Sequence, residues 1–92
     1  NSKKSKLNYT AMKTIYINKR ANNHVNEYEV NGEKISDLVS YSTRVASYNH
    51  TTNEMRVWGW YSKTTARHIN DFLEFYGFDT CTKNEMENYN KK

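Results

Sequence analysis

Only one stretch of this 92-residue chain has the periodicity of a helix, and a single helix can cover only one face of a sheet. Ala66, Ile69, Phe72, Leu73 and Tyr76 recur at helical spacing, with Arg67, Asn70, Asp71 and Glu74 on the other side. The spacing predicts a helix over about 64–76. Ser62 or Thr64 can cap its first amides through a hydroxyl. Gly77 is placed to end it in a left-handed conformation, with Phe78 folding back on Leu73.

The remaining apolar runs are short. Thr14, Ile15, Tyr16 and Ile17 are β-branched or aromatic and predict a strand over about 12–19. Residues 21–26 read as an Asn-rich connection. Glu27, Tyr28, Glu29 and Val30 alternate polar with apolar, the mark of a half-buried strand. Asn31 and Gly32 both tolerate positive φ and turn the chain. Ile35, Leu38 and Val39 fit either one helical turn or the approach to the next strand. Strands follow over 41–48, with Tyr41, Thr43 and Val45 on one face, and over 55–61. The loop between them is too short for a parallel crossover, so they form an antiparallel hairpin. The expected fold is a small two-layer α+β domain, with a three- or four-stranded antiparallel sheet beneath one main helix. The expected organisation is a basic flexible arm at 1–13, the domain at 14–78 and a loose polar tail at 79–92.

One strand conflicts with a single covering helix. In 55–61, Arg56, Trp58 and Trp60 point one way, and Met55, Val57, Gly59 and Tyr61 point the other. Either residues 21–40 cover the second face, or that face binds a partner or a second copy of the chain. Only 36% of residues are apolar while 14% are aromatic, so the core needs large rings. The face with Trp58 and Trp60 is therefore expected to be largely buried, with Arg56 at its edge. The competing readings are a stacking platform for single-stranded nucleic acid and a protein-binding hot spot, where Trp, Tyr and Arg are enriched.

Charge is uneven along the chain. The net charge is +4. Residues 1–26 hold six basic and no acidic side chains, whereas five acids fall in 27–54. The arm with Lys3, Lys4, Lys6 and Lys13 reads first as a solvated leader, and second as a contact for phosphate or an acidic partner. No apolar run reaches the length of a membrane span and no signal-like stretch opens the chain. The single cysteine, Cys81, excludes an internal disulfide and a Cys-rich zinc site. His24, His50 and His68 lack ligand partners at metal spacing. The expectation is a cytoplasmic protein of a bacterial cell, without cofactor or metal. Thirteen Asn, ten Lys and eight Tyr, with no Gln or Pro, suggest an AT-rich bacterial or phage genome.

The run Tyr41-Ser42-Thr43-Arg44-Val45-Ala46, a short hairpin, and then Tyr61-Ser62-Lys63-Thr64-Thr65-Ala66-Arg67-His68-Ile69-Asn70 resembles a family of small, uncharacterised phage proteins. In these a strand ending in Val-Ala or Ile-Ala precedes a second strand and a helix opened by Tyr-Ser-x-Thr-Thr-x-x-His. The resemblance covers about residues 39–76 and implies a phage or prophage origin.

Ser62, Thr64, Thr65, Arg67 and His68 gather at one helix start, where free amides favour an anion. Capping by the hydroxyls is the plainer reading, and no nucleophile–base pair at telling spacing makes His68 catalytic. The expected function is non-catalytic: a phage-encoded protein that binds and inhibits a host or defence protein, in the manner of an anti-CRISPR or host-takeover factor. Its target could be a nucleic-acid-bound complex. The expected contact residues are Arg56, Trp58, Trp60, Lys63, Arg67 and His68. The alternative is a nucleic-acid-binding protein using Lys3, Lys4, Lys6, Lys13, Arg56, Lys63 and Arg67 with stacking aromatics.

Overall fold

The computed structural model describes residues 10–17 and 22–90. Five strands are described: β1 (Thr10–Ile15), β2 (Asn23–Val30), β3 (Glu33–Ser40), β4 (Thr43–Asn49) and β5 (Glu54–Val57). They form one antiparallel meander in sequence order. Helix α1 (Lys63–Phe75) packs on one face, and a short helix α2 (Lys83–Glu87) follows. The fold is the expected two-layer α+β domain, with five strands rather than three or four.

The extra strand length comes from 23–26 and 33–40. Asn23, Val25 and Glu27 all point towards α1 and are buried. Two of these three are polar, so the alternation reads as a loop. Ile35, Leu38 and Val39 lie in β3, paired on both sides by β2 and β4. That double ladder excludes the helical turn. Asn31 and Gly32, with φ of 51° and 84°, close the β2–β3 hairpin as expected. Tyr41 has φ 58° and forms the β3–β4 turn with Ser42, so β4 starts at Thr43 rather than 41.

Register places a row of apolar residues beneath the helix. Ile15, Val25, Leu38, Ala46 and Val57 are successive cross-strand partners. Val25, Leu38, Ala46 and Val57 are buried with Ile69, Phe72 and Leu73 of α1. A bulge at Val45 turns that residue inward beside Ala46.

The helix ends are set locally. The Ser62 side chain accepts from Thr65 N–H at 3.2 Å, while Thr64 is exposed. At the other end Phe78 N–H donates to the Leu73 carbonyl and Gly77 N–H to that of Glu74, the paired bonds of a Schellman cap.

Two expectations need correction. The strand over 55–61 stops at Val57, because Gly59 sits at φ 142°, which a side chain rarely adopts. Its core face is Met55 and Val57, both buried. The face expected inside carries exposed Arg56 and Trp58. Residues 79–90, expected as a loose tail, form α2 with a Thr82–Glu85 capping box, and Met86 is buried.

Ser62→Ala should therefore cost about 1 kcal/mol, while Thr64→Ala should change stability by less than about 0.5 kcal/mol. Urea unfolding of both variants checks this, and equal losses would contradict the cap assignment.

Candidate functional site

Three polar groupings surround the apolar row. The first lies between β3 and the start of α1. The Ser40 hydroxyl is 2.8 Å from Thr65 Oγ1 and 2.8 Å from His68 Nδ1. His68 is only 1% exposed. The helix-start residues thus serve the fold: Ser62 caps, Thr65 and His68 bind the sheet. His68 is not available to a partner, which corrects its place among the expected contact residues.

The second grouping lies where α1 ends. Tyr76 O–H donates to Ser36 Oγ at 3.0 Å, and Ser36 Oγ is 2.7 Å from His50 Nε2. Ser36 thus links Tyr76 to His50 through one hydroxyl, which has one proton to donate and two lone pairs to accept. Burial first, and then the Lys34 ammonium, hold the His50 pKa below its ordinary 6.5, against a smaller upward pull from Glu27. Burial likewise keeps the Tyr76 phenol above its ordinary range. Ser36 is fully buried, while His50 is half-buried. Beside it Glu27 is 6% exposed. Among the described residues its Oε1 has no hydrogen-bond partner, and the ammonium groups of Lys13 and Lys34 stand 4.0 Å from its two oxygens.

The third grouping lies on the sheet face opposite α1. Thr14, Asn26, Asp37, Ser47 and Arg56 are cross-strand partners in one polar row. At its centre Asp37 is buried. It accepts from Tyr28 O–H at 2.7 Å and Ser47 O–H at 2.8 Å, and pairs with Arg44 at 3.4 Å. The Arg44 guanidinium lies 4.7 Å from the centre of the Trp58 ring. Trp58 is 41% exposed. Arg56 pairs with Glu54 at 2.9 Å. The second face thus carries this polar row and an exposed indole, with Tyr28, Val30, Ile35 and Val39 half-buried on the same side.

The expected contact residues are divided. Arg56 and Trp58 share the open face. Trp60 is half-buried, with the Lys83 ammonium 4.6 Å from its ring centre. Lys63 and Arg67 are exposed on α1, in the other layer. Lys13 belongs to β1, and Lys3, Lys4 and Lys6 lie outside the described residues. Sequence reasoning missed Tyr28, Asp37, Arg44 and Ser47. They are scattered over three strands and meet only through register. Among the described residues no three His, Cys, Asp or Glu side chains gather to hold a metal, and no helix is long and apolar enough to cross a membrane.

Two measurements follow. Folding suppresses the charged form of His50, so its contribution to stability is complete above about pH 6.5 and is lost as pH falls below that value. Urea midpoints should fall between about pH 7 and pH 5, and His50→Gln should flatten that fall. Trp58→Ala should change stability by less than about 1 kcal/mol, against about 3–5 kcal/mol for Phe72→Ala. A loss at Trp58 as large as at Phe72 would place the indole in the core.

No curated protein and no solved structure matches the chain. Its residues 3–88 match DUF8033, a family of unknown function. The chain belongs to that family.

Proposed function

We propose that this is a phage-encoded, non-catalytic accessory protein of the bacterial cytoplasm. It acts by occupying a surface of a host or defence protein with its open sheet face. The observation that carries this reading is the Trp58–Arg44–Asp37 stack. A large indole stands exposed under a guanidinium that a buried carboxylate holds in place. Trp and Arg dominate binding hot spots, and a side chain already fixed loses little entropy on binding. Arg56 flanks the indole. The resemblance to small phage proteins and the Lys-, Asn- and Tyr-rich composition support the origin.

Single-stranded nucleic acid is the second reading, because an exposed indole beside two guanidinium groups also suits base stacking. Asp37 and Glu54 pair with those same guanidinium groups, which weakens the pull on phosphate and favours a protein target.

Full-length chain immobilised in host lysate, with and without nuclease, separates the two. A protein retained after nuclease treatment and lost with Trp58→Ala or Arg44→Ala supports the first reading. Recovery of nucleic acid alone, or retention indifferent to both substitutions, overturns it.

A further inference from the structure

Residues 79–90 form a strap along the β5 side of the domain, and both its ends are held in the same way. Near its start Cys81 N–H donates to Asn70 Oδ1 at 2.7 Å, and Asn70 Nδ2 donates back to the Cys81 carbonyl at 3.1 Å. At its end Asn90 Nδ2 donates to the Val57 carbonyl at 2.8 Å, and Val57 N–H donates to Asn90 Oδ1 at 3.3 Å. Between these clamps Lys83 covers Trp60 and Met86 is buried.

Val57 lies on the outermost strand of the described sheet. An edge strand presents unpaired N–H and C=O groups that any extended chain can pair with. The Asn90 amide offers the donor and acceptor that one peptide group of a neighbouring strand would offer. It stands in for an absent strand at a single residue. Three strap side chains anchor it to the core: Met86 within it, and Cys81 and Tyr89 half-buried against it. Most of its residues are exposed, and Met86 is its one fully buried side chain. A cleft of about 450 Å³ lies within the strap, lined by its own Cys81, Asn84 and Tyr89 together with Phe78.

We infer that the strap 79–90 is a detachable cover. Its release leaves the sheet folded and opens the β5 edge and Trp60. The opened edge accepts an extended segment of the protein partner, pairing where Asn90 pairs now. The purpose of the opening rests on the function proposed above. The opening itself is a property of the isolated chain.

Native-state hydrogen exchange by NMR tests it on full-length protein, on Asn90→Ala and on Asn70→Ala/Asn90→Ala, with iodide quenching of tryptophan alongside. In the unaltered protein the amides of 83–87 and Val57 should exchange at least about tenfold faster than those of β3. The double variant should speed Val57 exchange about tenfold further and raise quenching at Trp60, with β3 unchanged. Equal protection of strap and β3 in the unaltered protein overturns the inference. So does a β3 response as large as that of Val57 in Asn90→Ala, since strap and sheet would then open as one unit. A failed lysate capture would leave these exchange results standing, so the two ideas fail separately.

Discussion

Three alternate residues of β3 hold the two layers together. Ser36, Leu38 and Ser40 all face α1 and all are buried. Leu38 fills the apolar row, and its two serine neighbours each take hold of one end of the helix. The spacing matches. Ser36 to Ser40 spans about 13 Å of strand, and His68 to Tyr76 spans about 12 Å of helix. The helix therefore lies antiparallel to β3 with both ends bonded and its middle in hydrocarbon. Sliding it by one turn would break both serine contacts and lift Phe72 from the core. Each buried large apolar side chain contributes about 1.5–3 kcal/mol, whereas each hydrogen bond adds less. Unmade, those bonds would leave buried hydroxyls and imidazoles unsatisfied, at about 1–3 kcal/mol each. Burial sets the magnitude of stability, and the serines set the helix position.

The same arrangement gathers the polar contacts of the helix side around two serines. Seryl and histidyl side chains in contact invite a catalytic reading. Here both Ser–His pairs sit beneath α1, one with Thr65 and one with Tyr76. Their bonds are consumed in joining helix to sheet. Among the described residues no helix covers the other face. Its polar row stays wet at the margins and dry at Asp37, which turns Arg44 over Trp58.

Asparagine does more here than fill turns. It takes positive φ at residues 22, 31 and 53. At Asn70 and Asn90 the side-chain amide copies a peptide group and pins a distant backbone segment. These two amides work beside the hydrophobic anchors of the C-terminal part, Met86 in the core with Cys81 and Tyr89 packed against it.

How much was legible in the sequence follows the range of the interactions. Helix α1, its apolar stripe and its Gly77 end were legible, because a cap and a stripe depend on residues within four positions of one another. The Asn31–Gly32 hairpin was legible for the same reason. The polar row was not. The turn at 41–42 would set Asp37 opposite Ala46, and the bulge at Val45 moves it opposite Ser47. That one-residue shift puts Ser47 beside Asp37 and leaves Ala46 in the core. Trp58 and Trp60, expected together on one buried strand face, lie beyond the strand, which ends at Val57, with Gly59 at φ 142° between them. Their fates then follow what stands nearby, Arg44 for one and Lys83 for the other. His68 lies on the helix sequence like any polar residue, and only the serine across the interface draws it inside. Sequence alone determined helix α1, its Gly77 end and the Asn31–Gly32 turn. Tertiary structure decided which faces they turn to each other, because burial and cross-strand register are properties of the assembled layers.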